Sequence, residues 1–391
     1  MRRAWIFAVF LLIAGATLWL MRAQEPPGPA TPATPAPPPT APPSPAPASA
    51  AETLARLRRG VNVSGWLQHG YENDPKRYAP DAADWQLMRA LGLGHARLPI
   101  DPATLLNDRG LPKPAALARV RAAVDGAVKE GLLVIVTLQL PDAMKASLAH
   151  EPQRVAFAGV WRALAVALRD IPPGQLMLEP LNEPGFEDAA ASRALMQQLV
   201  ADLRTVVPKH TLLVSGHKYS GVDELVEMQP LADRNLVYGF HFYQPYDFTH
   251  QGADWGDPVW ETLRGFPYPS SPERVAPLLD KQPAALRGRL EWYGGERWNR
   301  EHLGQRLGEA LAWGQQHKVA VLCSEFGALR KRSAPADRAA WLRDVRETLE
   351  AGGAGWTTWD YSGPFGIVSG PQGKRVVDAA TLEALGLTKP P

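Results

Sequence analysis

Eight short runs rich in Val, Leu, Ile and aromatic residues recur along the chain, and they constrain its fold more than any other feature. Each run has the length of a buried strand and is bounded by turn residues. Numbered along the chain, the runs lie at 60–66, 95–100, 132–140, 175–184, 211–218, 236–245, 319–327 and 355–363. A chain with so many short buried strands must close them into one sheet or divide them between sheets.

Helical patterns separate most of these runs. The segments 114–131, 153–170 and 337–353 place apolar residues at positions i, i+3, i+4 and i+7. Strands that alternate with helices indicate a parallel sheet. Eight repeats without a glycine-rich dinucleotide fingerprint favour a closed (β/α)8 TIM barrel over an open sheet. The sequence therefore predicts an α/β fold of this type for residues 51–391.

The first residues carry a different signal. Arg2 and Arg3 precede an uncharged apolar run over residues 4–21, which is typical of a signal peptide or of a short membrane-spanning helix. A cut after Ala23 would place Met21 at position −3, a poor match that favours an uncleaved anchor. We expect residues 1–23 to be a signal peptide or signal anchor. Both interpretations predict export to the cell envelope, membrane-anchored through residues 4–21 or else secreted.

Residues 24–50 form a linker of Pro, Ala, Thr and Ser with few other residues. Such a composition has too few apolar side chains to build a core, and it is expected to run as an extended spacer of about 3.1 Å per residue. The segment predicts a separation between the first 23 residues and a single folded domain.

Charge and cysteine content exclude several function classes. The net charge is only +2, with 42 Lys and Arg against 40 Asp and Glu, so the chain has no strong field for nucleic acid. The single cysteine, Cys323, excludes an intrachain disulfide and a cysteine-based metal cluster. We expect a monomer that needs no cofactor and no metal, with a neutral ligand.

Polar side chains end most of the predicted strands. In a TIM barrel the active site lies at the C-terminal ends of the strands, so these residues are expected to surround one pocket. They include Arg97, Gln139, Asn182, Glu183, His217, His241, Tyr243, Glu325 and Trp359.

Two glutamates at opposite sides of a barrel mouth, Glu183 and Glu325, suit glycoside hydrolysis. This reaction needs one protonated acid for the leaving oxygen and one carboxylate at the anomeric carbon. Arg97 and Tyr243 are expected to keep one carboxylate ionised, and its negative charge would then hold the proton on the other.

Five motifs occur in the order and spacing of a known family. They are "ARLPI" at 96–100, "LNEPG" at 181–185, "FHFYQP" at 240–245, "SEFG" at 324–327 and "TWDYSGPFGI" at 358–367. Together they resemble glycoside hydrolase family 5, the cellulase family among the barrel glycosidases of clan A, over nearly all of residues 58–370.

The resemblance implies an endo-acting, retaining hydrolase of β-linked glucan that works by double displacement. It implies Glu183 as acid/base, Glu325 as nucleophile and Arg97 as the residue that holds Glu325. Roles at the substrate are implied for four more residues: Asn182 at the sugar 2-hydroxyl, Tyr243 beside the nucleophile, His241 beside the acid/base, and Trp359 as a stacking floor.

One position departs from the family pattern. The family usually has a histidine near the end of the third strand, where this chain has Gln139, which can bind a hydroxyl but cannot titrate. His217, at the end of the fifth strand, is predicted either to contact sugar or to cap the strand.

Three alternatives remain open at this point. A transglycosylase would use the same residues, since a sugar hydroxyl would replace water in the second step. A mannan or a β-1,3-glucan would suit the same fold. A carbohydrate-binding barrel without catalysis is the alternative from another class.

Overall fold

The structure is a computed structural model that describes residues 50–68 and 79–389. The predicted anchor over residues 4–21 and the predicted linker up to residue 49 lie outside the described residues. Within the described ranges, no helix has both the length and the apolar character needed to cross a membrane.

Eight parallel strands close into one barrel in chain order, which confirms the predicted (β/α)8 fold. The eighth strand pairs with the first, and every neighbouring pair in between is parallel. The strands are β1 Arg59–Asn62, β2 His95–Ile100, β3 Leu133–Leu138, β4 Leu176–Glu179, β5 Leu212–Ser215, β6 Leu236–Phe242, β7 Ala320–Phe326 and β8 Gly355–Thr358.

Helices surround the barrel and connect its strands. In chain order they are α1 Ala50–Arg56, α2 Ala82–Ala90, α3 Pro114–Lys129, α4 Asp142–Lys145, α5 Glu151–Leu168, α6 Ala189–Arg204, α7 Val222–Val226, α8 Tyr246–Thr249, α9 Pro258–Thr262, α10 Pro272–Val275, α11 Ala284–Gly295, α12 Arg300–His317, α13 Pro335–Ala351 and α14 Ala379–Ala384. Two further strands, β9 Val368–Ser369 and β10 Val376–Val377, form a small hairpin after β8.

Alternating side chains of each strand divide the core into two layers. On β3, Leu133 and Ile135 point into the barrel, where they meet Met177, Leu213 and Leu322. Val134 and Val136, the intervening residues of β3, belong to the larger layer between strands and helices. The barrel interior is therefore a packed floor beneath the C-terminal ends of the strands.

The long connection between β6 and β7 contains the helices α8 to α12, of which α8 to α11 lie within residues 246–298. We interpreted residues 246–298 from the sequence as an irregular insertion at the ligand face. The segment does reach that face, but it is largely helical, and Tyr293 and Phe266 are buried within it.

Candidate active site

Glu183 lies in the turn that follows β4, four residues beyond the strand's last residue. The turn is fixed by backbone hydrogen bonds: Asn182 N donates to Leu138 O at 3.0 Å, and Gly185 N donates to Lys218 O at 2.9 Å. Glu183 adopts a φ of +44°, a left-handed conformation that is uncommon outside glycine. The surrounding turn holds this backbone, and the carboxylate is thereby aimed across the barrel mouth.

Arg97 is the central cation of the site and is completely buried. Its Nη1 donates to Glu325 Oε1 at 2.7 Å, and its Nε and Nη2 donate to the two oxygens of Glu179 at 2.6 and 3.0 Å. The amide oxygens of Asn62 and Asn182 accept the remaining bonds at 2.9 and 2.7 Å. Burial lowers the pKa of Arg97, but the charges of Glu179 and Glu325 outweigh it and raise the pKa above its usual value.

Glu325 lies near the end of β7 with both oxygens engaged. Arg97 holds Oε1, and the Tyr243 hydroxyl donates to Oε2 at 2.9 Å. Burial and the Glu325 charge raise the pKa of Tyr243 well above its ordinary value, so this phenol stays protonated as a donor. Two charge-assisted hydrogen bonds thus orient the Glu325 carboxylate.

His241 links the two glutamates. Its Nδ1 lies 2.9 Å from Glu183 Oε1, and its Nε2 lies 3.6 Å from Glu325 Oε1. One carboxylate oxygen from each glutamate and one nitrogen of His241 all lie within 4.8 Å of one another. Three such groups can hold a metal ion, but Arg97 already donates to Glu325 from inside the cluster and supplies the positive charge there.

The pKa values of the Glu183–His241 pair shift in opposite directions. Burial raises the pKa of Glu183, but the hydrogen bond and charge of His241, with the charges of Lys145 and Arg97, bring it below its usual value. Burial lowers the pKa of His241, but the charges of Glu325 and Glu183 raise it overall. These two shifts favour the ion pair of a Glu183 carboxylate and a protonated His241.

A cleft of about 440 Å³ opens above these groups. Trp359 lines it as predicted, together with Phe365 and with Trp255 from the β6–β7 connection. Gln139 also lines the cleft, and its side-chain oxygen accepts a hydrogen bond from Gln68 Nε2. Aromatic faces and amides beside two carboxylates are suitable for a neutral, hydroxyl-rich ligand.

Two predicted residues, Asn182 and His217, are not among the residues that line this cleft. Asn182 is buried with its oxygen bonded to Arg97, and its Nδ2 finds no partner among the described residues. A buried amide without an acceptor is suited to a ligand oxygen. His217 is buried after β5 with its Nε2 3.5 Å from Glu227, and it is not among the residues that line the cleft.

Sequence reasoning missed Glu179 and Lys145, and it placed Trp255 only within a segment expected at the ligand face. Glu179 is an acidic residue inside an otherwise apolar run, a signal of a buried partner for its charge that the sequence analysis did not use. Lys145 lies in a segment without strand or barrel-end pattern, so nothing in the sequence placed it at the site. Trp255 belongs to the connection 246–298, whose path the sequence did not define.

A closed (β/α)8 barrel with paired glutamates at the ends of β4 and β7 belongs to the class of barrel glycosidases. The sequence matches the family described as Cellulase (glycosyl hydrolase family 5) over residues 58–364. The chain belongs to this family, which confirms the resemblance and makes the protein a glycosidase.

Several known proteins are similar to it. Endoglucanase 3 of Fibrobacter succinogenes is 25% identical over 80% of this chain and 50% of its own length. Endoglucanase C of Acetivibrio thermocellus is 25% identical over 79% of this chain and 92% of its own length. The chain thus spans about half of the Fibrobacter relative but most of the Acetivibrio one. The structure of Thermotoga maritima Cel5A in complex with mannotriose has the same fold, with a TM-score of 0.70, 22% identity, and coverage of 85% of this chain and 99% of that one.

Proposed function

We propose that the protein is a retaining, endo-acting hydrolase of a β-linked glucan, with Glu183 and Glu325 performing a double displacement. The observation that carries this proposal is the separation of the two carboxylates, since one oxygen of each lies within 4.8 Å of the other. Retaining enzymes have separations of about 5–5.5 Å, whereas inverting enzymes need about 6.5–9.5 Å to admit a water molecule.

In the first step, Glu325 attacks the anomeric carbon. Arg97 and Tyr243 donate to its two oxygens and orient them. The glycosidic oxygen leaves with a proton from Glu183, and a covalent glycosyl ester forms on Glu325. In the second step Glu183 takes a proton from water, which attacks the ester and releases the sugar with its original configuration.

His241 is placed to supply the proton that Glu183 gives to the glycosidic oxygen. The charge of Glu325 is the strongest influence that raises the pKa of His241. As the ester forms, Glu325 loses that charge, so the His241 pKa falls and its Nδ1 proton can pass to Glu183 across 2.9 Å. Nucleophilic attack and proton delivery are thereby coupled.

The substrate class rests on the family and on the cleft. The relatives from Fibrobacter and Acetivibrio are endoglucanases by name, which supports a β-glucan. The Thermotoga structure contains mannotriose, so mannan is the second candidate. Release of reducing ends from cellulose, mixed-linkage glucan, β-1,3-glucan, xyloglucan and mannan would distinguish these substrates.

The two glutamates can be separated by variants tested on two substrates. Glu183→Ala should still release dinitrophenol from a dinitrophenyl glycoside, because that leaving group needs no proton, and should fail on polysaccharide. Glu325→Gly should be inactive on both substrates. Equal behaviour of the two variants would contradict the assignment.

Azide gives a second, stereochemical criterion. In Glu183→Ala it should intercept the glycosyl ester and yield a β-glycosyl azide, whereas in Glu325→Gly it should occupy the nucleophile's place and yield the α-anomer. An inverted product from the unmodified enzyme would exclude double displacement. Products longer than the substrate at high sugar concentration would favour the transglycosylase, and binding without turnover would favour a carbohydrate-binding barrel.

We also propose that the enzyme acts at the cell envelope, held by residues 4–21 through the Pro-rich linker. The proposal is supported by the two arginines that precede an uncharged apolar run. The full chain should fractionate with membranes, and removal of residues 1–25 should release active enzyme. A soluble mature form that begins near Gln24 would show a cleaved signal instead.

A further inference from the structure

Lys145, the last residue of α4, is a buried lysine at the wall of the cleft. Its side chain is only 3% exposed, and its Nζ lies 3.6 Å from Glu183 Oε2 and 2.8 Å from Asp142 Oδ1. Lysine is rarely buried without a specific partner. Neither the sequence motifs nor the two-glutamate chemistry accounts for this residue.

The surroundings of Lys145 fix its position. Gly185, two residues after Glu183, packs against the lysine so closely that an added Cβ would lie 2.8 Å from Lys145 Cδ and 3.0 Å from its Cβ. The ring of Tyr219 lies 5.7 Å from Nζ, within the range of a cation–π contact. The turn that carries Glu183 is therefore shaped around the lysine chain.

The two oxygens of Glu183 have different neighbours. Oε1 is paired with His241, so Oε2 is the oxygen that faces Lys145. Asp142, the other partner of Lys145, is 72% exposed, and water screens its negative charge. The ammonium consequently presents a positive charge to Glu183 that Asp142 offsets only in part.

We propose that Lys145 is a positioning residue of the reaction, which holds Oε2 of Glu183 and favours the ionised carboxylate that accepts a proton from water in the second step. This inference rests on the proposed role of Glu183. Lys145 Nζ acts on the reaction through Glu183 Oε2, 3.6 Å away, so its loss should alter the pH range of activity more than substrate binding.

Other charged or titratable groups also face Glu183, and they must stay constant in a test. They are Arg97 from β2, His241 from β6, Glu325 from β7 through His241, and Tyr243, Tyr246 and His250 from the end of β6 and α8. A variant at Lys145 leaves all of them in place.

Lys145→Met keeps most of the side-chain volume and removes the charge. The Glu183 pKa should then rise, so both limbs of the pH profile should move upward by about one unit. The acidic limb is read from kcat on a dinitrophenyl glycoside, for which the second step limits turnover. The alkaline limb is read from kcat/KM on an oligosaccharide that needs the acid.

Asp142→Asn provides the opposite change, because it removes the partial counter-charge and should move both limbs downward. Lys218→Met is the matched control, since Lys218 pairs with the exposed Glu187 and its loss should leave the limbs in place. The inference is overturned if Lys145→Met has the melting temperature of the wild type and if Lys145→Met and Asp142→Asn both keep the two limbs of the wild-type pH profile. The azide experiment on Glu183→Ala does not involve Lys145, so a failure of the double displacement would be recognised separately.

Discussion

At the residue scale, Arg97 contacts more than Glu325. It donates to two glutamates and two asparagines from a fully buried position, so Glu325, Asn182 and Glu179 share one cation. Its two carboxylate partners lie 82 and 228 residues away in the chain. The sequence predicted the contact with Glu325 through the family resemblance. It could not predict Glu179, because the partner of a buried charge is known only once β2 and β4 are adjacent.

Glu179 should therefore be important for stability as well as for activity. Glu179→Ala leaves Arg97 with one carboxylate instead of two, and we expect the free energy of unfolding to fall by about 3 kcal/mol and kcat to fall with it. Urea unfolding and steady-state kinetics measure the two effects. Asp170→Ala is the control, because Asp170 pairs with Arg121 at an exposed site and should cost about 1 kcal/mol or less. Equal losses in both variants would contradict the prediction.

Trp359 should act in the transition state more than in folding. It lines the cleft and is only partly buried, so its indole face is available to a sugar ring. Trp359→Ala should lower kcat/KM at least tenfold, about 1.4 kcal/mol, with little change in melting temperature. Trp292→Ala, on the exposed face of α11, should change neither quantity. A large loss of stability with normal kinetics would make Trp359 a core residue.

At the scale of elements, the sequence predicted strands and major helices closely and the ends of strands less well. Strand β2 has the predicted bounds, and α3, α5 and α13 begin and end within two residues of prediction. Strand β4 is shorter than predicted because Pro180 cannot donate to the ladder, so the strand ends at Glu179. That early end places Glu183 in a turn and gives it the freedom to adopt its positive φ.

At the base of the barrel, position 60 in β1 requires glycine. His95 on β2 packs on Gly60, where an added Cβ would lie 2.1 Å from the imidazole ring. The ring is held by Arg56 O at 3.1 Å and Thr357 Oγ1 at 2.8 Å, so it cannot move aside. Gly60→Ala should destabilise the fold by about 1–3 kcal/mol through overpacking.

The matched control for this element is Gly159 in α5, which has no heavy atom within 4 Å of an added Cβ. Gly159→Ala should stabilise the protein by about 0.5–1 kcal/mol, because alanine favours a helix. Thermal or urea unfolding of both variants would measure the contrast. Destabilisation of both to the same degree would mean that contact with His95 is not the cause.

At the scale of the whole molecule, the β6–β7 connection and the segment after β3 add residues to the site that the barrel strands do not supply. The eight strand ends supply Arg97, both glutamates, His241 and Tyr243, all of which the sequence predicted. Trp255 and Lys145 come from the connections, whose conformations depend on packing against the finished barrel. Short helices such as α4 and α8 have no periodic pattern long enough to be recognised in advance.

Buried neutral histidines should make the stability of the whole fold depend on pH. Burial lowers the pKa of His95 to about 4, although a hydrogen bond to Arg56 opposes it, and burial likewise lowers the pKa of His250 to about 4. Because an unfolded histidine titrates near 6.5, the unfolded chain binds more protons between pH 6.5 and 4. The contribution of these two histidines to the free energy of unfolding is therefore fully present above pH 6.5 and is lost as the pH falls towards 4.

A variant isolates the contribution of His95, because Asp360, whose burial raises its pKa to about 6, acts in the opposite direction on the wild-type curve. His95→Asn should be less stable than the wild type at pH 7, since it loses packing beneath Gly60. Between pH 7 and 4.5, the free energy of unfolding of the wild type should fall by about 2–3 kcal/mol more than that of the variant. The difference in stability between the two proteins should therefore shrink by that amount. Urea unfolding of both proteins at both pH values measures it. A difference for His95→Asn that is unchanged or grows on acidification would mean that His95 does not resist protonation in the folded barrel.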